Sequence, residues 1–356
     1  MSPSRKLAFD VLLLAEQGGY AADLLHARAS GLEKQDAGLA YEIAMGCLRR
    51  QAQLDFLIGR LAGRPAARLD AEVRIALRMG LYQLRHLDRV PAHAAVDESV
   101  ELVKRARKRS AAGLVNAVLR NAPRDVEWPD RATELSMPAW LLERWDQEYG
   151  PAGAEQAARA FLQPPETYVR LTASGPRMQD IGSQSIVPLL DLRPGLRFLD
   201  LCAAPGNKTA QAMESGVRAI ACDVNFRRLS GLKTLGCPLV VLDGAQPLPF
   251  HVKFDRILVD APCSGTGTLG RNPEIKWRLR REDLESLHRK QVRILTQALK
   301  LLAAGGRLVY STCSLEREEN EGVIEAVPGV APAQCMKRLP GREEGDGFFA
   351  AVIGST

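Results

Sequence analysis

No apolar run in this 356-residue chain is long enough to span a bilayer, and Met1-Ser2-Pro3-Ser4-Arg5-Lys6 is not followed by a signal-peptide pattern. The expected location is the cytoplasm, with no membrane partner. The seven cysteines include no C-x-x-C pair, which argues against a disulfide framework and against a zinc site. His86, His93 and His288 are isolated, so no metal is expected. Two nucleotide signatures are missing as well. Without G-x-G-x-x-G, a case for NAD or FAD is weak. A Walker A loop is ruled out because Asn207 separates Gly206 from Lys208 and no glycine precedes them at the right distance. Neither internal repeats nor low-complexity tracts occur.

The length favours two domains, each large enough to bury a core. A net charge of +6 is compatible with a polyanionic partner, and its densest point is Lys104-Arg105-Ala106-Arg107-Lys108-Arg109, which reads otherwise as a solvated helix end. Residues 1–122 carry apolar positions at helical spacing, as in Leu54-Leu57-Ile58-Leu61, and predict an all-α domain with a helix start near Asp97 or Ser99. Residues 123–175 are punctuated by prolines and predict a connector with one helix over Ala139–Tyr149. From 176 to 356 short apolar strands alternate with helical stretches. Strands are expected at 198–202, 219–224, 239–243, 257–260, 308–310 and 348–353, and helices at 208–214, 226–234, 282–302 and 316–326. That alternation predicts an α/β, Rossmann-like doubly wound sheet.

Strand 198–202 runs into Cys202-Ala203-Ala204-Pro205-Gly206-Asn207-Lys208. Small residues there let backbone N–H groups approach a ligand whose anionic end faces a helix N-terminus. By itself the segment is also what an ordinary strand-to-helix turn looks like, with Gly206 at positive φ. Asp223 ends the next strand, where a carboxylate can accept ribose hydroxyls, and Asp243 ends the third, where it can flank a base. A nucleoside cofactor with a carboxylate and no pyrophosphate fits this series, and S-adenosylmethionine is that molecule. Two further strand ends carry cysteines fifty residues apart, in Asp260-Ala261-Pro262-Cys263-Ser264-Gly265 and Ser311-Thr312-Cys313-Ser314. Strand ends of an open sheet share one edge, so two thiols and a carboxylate are expected to face one cleft. The acidic residues Glu316, Glu318 and Glu319 read as carboxylates favoured at a helix N-terminus.

These segments together resemble the Sun-type RNA cytosine-5 methyltransferases, and within them the RsmB family acting on small-subunit ribosomal RNA. The match is carried by Met178–Gln184, by D-L-C-A-A-P-G-N-K-T at 200–209, by V-D-A-P-C-S-G-T-G at 259–267, and by Y-S-T-C-S-L-E-R-E-E-N-E at 310–321. Residues 80–84 and 113–120 resemble the NusB-like RNA-binding domain fused to that family. The chain departs from the family in having Asn207 where glycine is usual, an αL-tolerant replacement. It also lacks a subdomain of several tens of residues between the segments at 168–171 and 179–180.

The resemblance implies S-adenosylmethionine as cofactor and RNA as partner. It makes Cys313 the nucleophile at cytosine C6, Asp260 a hydrogen-bonding group to the ring and a neighbour of the cofactor, and Cys263 the residue assisting release. Lys208 is expected beside the reaction centre. Arg49-Arg50 and the 271–278 stretch are candidate phosphate contacts, with Trp277 either stacking on a base or packing on its own sheet. Three other readings stay open at this stage: a non-catalytic ribosome-assembly factor, action on tRNA or another RNA, and action on DNA. The last is disfavoured because the Glu-Asn-Val segment of DNA cytosine enzymes is absent.

Overall fold

A computed structural model describes residues 2–172 and 175–354. Ala173 and Ser174, at the end of the expected connector, lie outside the described residues. The chain divides into two compact units, one formed by Met1–Pro164 with Leu269–Arg278, the other by Pro165–Thr268 with Leu279–Thr356.

The first unit is helical. It contains α1 (Pro3–Glu16), α2 (Ala21–Arg28), α3 (Lys34–Arg49), α4 (Gln51–Ala62), α5 (Ala71–His86), α6 (Ala92–Arg105) and α7 (Ala112–Arg120). Leu12, Ile43, Leu57, Leu77, Val103 and Val118, spaced three and four apart with their neighbours, converge in one core. The helix start expected at Asp97 or Ser99 is corrected: α6 begins just after Pro91, and Ser99 lies inside it with Oγ donating to Ala95 O at 2.7 Å. The helix expected over 139–149 extends to Ala160, with Gly150 at φ 73 dividing it and Pro151 restarting it. The 104–109 run closes α6 at an exposed end, where Lys108 pairs with Asp70 at 2.8 Å.

Residues 269–278 complete this unit by tying off helix ends. Glu274 accepts from Ala21 N at 2.7 Å at the start of α2, while Lys276 Nζ donates to Arg49 O at 2.9 Å and Trp277 Nε1 to Leu48 O at 2.8 Å at the end of α3. Arg278 donates to Ala15 O in the last turn of α1 and to Gly18 O, just past it, at 3.0 Å. A carboxylate thus meets a helix N-terminus and cations meet C-termini, as unsatisfied end groups and the helix dipole favour. Two expectations are overturned here. Arg49 and Lys276 are 1% exposed, and neither can serve as a surface phosphate contact; Trp277 is half-buried with its Nε1 held by Leu48 O.

The second unit is built on a seven-stranded sheet preceded by a hairpin of β1 (Val169–Thr172) and β2 (Gly175–Met178). The sheet comprises β3 (Arg197–Asp200), β4 (Arg218–Asp223), β5 (Leu239–Val241), β6 (Phe254–Asp260), β7 (Leu302–Thr312), β8 (Gln334–Arg338) and β9 (Phe348–Gly354). Their order is β5-β4-β3-β6-β7-β9-β8, parallel from β5 to β7, with β9 antiparallel to both neighbours. Alternate residues feed two cores. Leu199, Ile257, Val259, Leu308 and Tyr310 pack with Ile294, Leu295 and Val323 on one face, while Phe198, Leu258 and Val309 pack with Val187 and Ala212 on the other. The long helix is Arg281–Leu299 and stops short of the expected 302, because Leu302 already pairs with Phe254 in β7.

Lys276 generates a prediction. Burial first, then Arg49 and Arg50, lower its pKa to about 7. The unfolded chain therefore holds a proton on this lysine, between roughly pH 7 and 10, that the folded chain has released, so stability rises with pH across that window. Lys276→Met is expected to be more stable than the parent by about 1–3 kcal/mol at pH 6, with the advantage shrinking toward pH 10. Urea unfolding followed by circular dichroism at both pH values checks it.

Candidate active site

The sheet order reverses at β3, whose neighbours are β4 and β6, and both site loops leave the carboxyl ends of strands at that edge. β3 ends at Asp200, and residues 201–206 lead into the helix Asn207–Met213. Gly206 has φ 101, and a Cβ there would lie 2.6 Å from Leu232 Cγ, so both conformation and space demand glycine. Asn207 is the first residue of the helix and needs no left-handed backbone, which corrects the reason expected for tolerating it. Thr209 Oγ1 donates to Asp200 Oδ2 at 2.7 Å; Oδ1 is buried without a partner, and burial raises this carboxyl's pKa to about 7.

The cofactor candidates cluster around this loop. Ala203 N donates to Cys222 O at 2.8 Å, and Ala204 N to Asp223 Oδ2 at 3.1 Å. Asp223 Oδ1 accepts from Asn225 N at 2.8 Å, and Asp243 Oδ1 from Ala245 N at 3.0 Å. Each oxygen so engaged keeps acceptor capacity for a ligand hydroxyl. Val224 and Phe226, which follow Asp223 in sequence, are apolar yet 60% and 65% exposed. Burial pushes the Cys202 thiol well above its ordinary pKa, the state of an inert thiol. The unpartnered Asp200 oxygen, the glycine-lined turn and the carboxylates beyond β4 and β5 fit a nucleoside-bearing cofactor.

β6 and β7 pair in parallel register with Asp260 level with Ser311. Lys208 Nζ donates to Asp260 Oδ2 at 2.6 Å, and Ser311 Oγ to Oδ1 at 2.8 Å. Burial opposes the Lys208 ammonium, but the Asp260 carboxylate outweighs it and the lysine pKa is raised. Cys263 Sγ and Cys313 Sγ lie 3.3 Å apart. The hydrogen bond to Cys313, followed by burial, raises the Cys263 pKa, and either thiol can donate across that contact. The sequence does not single out Ser311 as a partner of Asp260, and it presents Glu319 as a carboxylate favoured at a helix N-terminus. Glu319 is in fact fully buried, accepting from Ser264 N at 2.8 Å. Among the described residues no group of three or more His, Cys, Asp or Glu side chains is arranged to hold a metal, and no helix is long and apolar enough to cross a membrane.

Behind the cysteine loops three backbones meet. Gly267 N donates to Cys313 O at 2.9 Å and Gly347 N to Gly267 O at 2.8 Å. A Cβ on Gly267 would sit 2.3 Å from Gly347 O and 2.9 Å from Cys313 O. These are main-chain atoms that no side-chain rotation relieves. Gly267→Ala is expected to cost about 2 kcal/mol or more, read as a melting temperature lowered by roughly 4 °C or more.

Residues 2–124 match the NusB family, and residues 187–330 match the family described as 16S rRNA methyltransferase RsmB/F. Ribosomal RNA small subunit methyltransferase B of Citrobacter koseri is 33% identical over 96% of this chain and 96% of its own length. Its counterpart in Klebsiella pneumoniae is 33% identical over 95% of this chain and 94% of its own. The first alignment runs over 411 positions, more than the 356 residues here, so it opens gaps in this chain where the relative has extra residues. Among solved structures, PH0851 shares the fold across 99% of both chains, with a TM-score of 0.80 and 21% identity. A methyltransferase homologue from Pyrococcus horikoshii aligns over 65% of this chain and all of its own, with 25% identity and a TM-score of 0.53. With a helical NusB-like part, a Rossmann-like sheet and S-adenosylmethionine as cofactor, the chain belongs to the RsmB family of small-subunit ribosomal RNA methyltransferases.

Proposed function

We propose that this protein methylates C5 of a cytosine in small-subunit ribosomal RNA through a bond between Cys313 Sγ and C6 of the base. The observation that carries the reading is the Cys263–Cys313 pair, 3.3 Å apart, beside the Lys208–Asp260 ion pair. Cytosine C5 is a weak nucleophile until a thiolate adds at C6. In this reading Cys313 attacks as the thiolate with Cys263 Sγ 3.3 Å away, and Lys208 is close enough for a charge on Cys313 to help hold its proton. The Cys313 Sγ–C6 bond forms and the C5–C6 π electrons become available at C5. S-adenosylmethionine, when bound, would supply an electrophilic methyl group to that carbon, its sulfur–methyl bond breaking to leave S-adenosylhomocysteine, and the 202–208 loop with Asp223 and Asp243 would hold it. Asp260, fixed by Lys208 and Ser311, is presented to the N3 and exocyclic amine edge of the ring, where a hydrogen bond stabilises the adduct. The C5 proton then passes to a base or to water, its bonding electrons re-form the C5–C6 double bond, and the C–S bond breaks to return Cys313 as a thiolate, a release that Cys263 assists.

A base stacked in a duplex cannot reach a thiol in a cleft, so the target is an unpaired or flipped nucleotide. The reading puts the 1–122 part in the role of holding RNA and the 176–356 part in that of catalysis, in the cytoplasm with the ribosome.

Methyl-labelled S-adenosylmethionine and unmodified small-subunit ribosomal RNA test the proposal. The parent is expected to place label in 5-methylcytosine. Cys313→Ala should lose at least about 10³-fold in rate. Cys263→Ala should accumulate a denaturation-resistant protein–RNA adduct. Asp260→Asn should slow adduct formation about 10²-fold or more. Label in another nucleotide, or an adduct that survives Cys313→Ala, overturns the scheme.

A further inference from the structure

The reaction scheme gives Glu319 no task, yet four donors converge on its carboxylate. Oε1 accepts from Ser264 N at 2.8 Å and from Gln291 Nε2 at 2.9 Å, while Oε2 accepts from Ser314 Oγ at 2.5 Å and from the Ser264 hydroxyl. That fills the acceptor capacity of a carboxylate. Ser264 directly follows Cys263, and Ser314 directly follows Cys313. The amide of Gln291, from the long helix, also donates to Pro262 O at 2.9 Å, the residue before Cys263. Glu319 therefore binds the residue after Cys263 and the hydroxyl next to Cys313 directly, and reaches the residue before Cys263 through Gln291.

Glu319 is itself held. Tyr310 Oη donates to its carbonyl at 2.6 Å, while Asn320 accepts from Thr312 Oγ1 at 2.5 Å and donates to Ser314 O at 3.0 Å. A carboxylate with no exposed surface carries a desolvation cost that well-packed neutral residues avoid. What it offers in return is several charge-assisted hydrogen bonds, stronger than neutral ones, from donors on two different loops. Reacting groups must be held to fractions of an ångström, and such bonds are the means.

We propose that Glu319 is the positioning residue of the cysteine pair, a carboxylate clasp that holds the Cys263 loop against the Cys313 loop at the separation the reaction needs. The proposal deepens the reading of Cys313 as nucleophile and Cys263 as its partner, and it rests on that reading only for its effect on turnover. Its geometric half is independent of any substrate.

The test uses the full chain as Glu319→Ala and Glu319→Gln. Without RNA or cofactor, diamide takes up the two thiol hydrogens and couples Cys263 Sγ to Cys313 Sγ; the rate is followed by peptide mass spectrometry. Methyl transfer, adduct formation and S-adenosylhomocysteine affinity are measured alongside. Glu319→Ala is expected to slow coupling about tenfold and kcat about 10²-fold, with KM for RNA and cofactor affinity within about threefold. Glu319→Gln keeps the shape and one acceptor oxygen, and should fall between. Coupling and kcat within about twofold of the parent, or faster coupling, overturn the clasp. If Glu319→Ala fails to fold, Glu319→Gln and the double variant Ser264→Ala/Ser314→Ala decide by the same thresholds. Slowed coupling in a parent that methylates no RNA keeps the clasp and removes the cytosine reading. Normal coupling in a variant of an active parent does the reverse.

Discussion

The parallel pairing of β6 with β7 is the constraint on which the site depends. With Asp260 level with Ser311, the two chains leave the sheet side by side and their cysteines, fifty residues apart in sequence, emerge 3.3 Å apart. Side chains alternate faces along a strand, so a one-residue slip would exchange the residues facing each core and carry Asp260 away from Ser311. Leu258 and Val309 filling one core, and Ile257 and Leu308 the other, prevent that slip. Packing far from the chemistry thus fixes the chemistry.

Electrostatics then differentiates groups the pairing has merely brought together. Asp260 keeps the Lys208 ammonium charged inside the fold, where an isolated cation would be penalised. Asp200, one strand over and lacking a cationic partner of its own within hydrogen-bond reach, is pushed toward its neutral form. The contact with Cys313, and then burial, raise the Cys263 thiol pKa. The surroundings at this strand edge therefore raise the pKa of one carboxyl, Asp200, and of one thiol, Cys263.

Much of this was legible in the sequence, and the parts that were not share a physical cause. The α/β alternation, the turn at Gly206, and the convergence of Asp260, Cys263 and Cys313 follow from β-rich apolar runs ending in loops, a local signal. β8 escaped notice because it is an edge strand, Gln334-Cys335-Met336-Lys337-Arg338, with mostly exposed residues and no apolar face to announce it. The β1–β2 hairpin escaped for the same reason, with Leu171 83% exposed. Lys276 and Arg49 looked like surface cations because charge carries no information about burial until the partner carbonyls are placed. Glu319 looked like a helix-end carboxylate because its donors come from residues 264, 291 and 314. Such non-local hydrogen bonds leave no periodicity to read.

The segment Leu269–Arg278 has a consequence for dissecting the protein. Its residues interrupt the sequence of the second unit, yet its hydrogen bonds close the ends of α1, α2 and α3 in the first. The chain passes between the units three times, after Pro164, Thr268 and Arg278. A fragment beginning at Pro165 would carry an orphan decapeptide with an apolar tryptophan and a desolvation-prone lysine, and a fragment ending at Pro164 would leave three helix ends without their caps. The gene can be cut once between its two family matches; the folded bodies cannot be parted by a single cut.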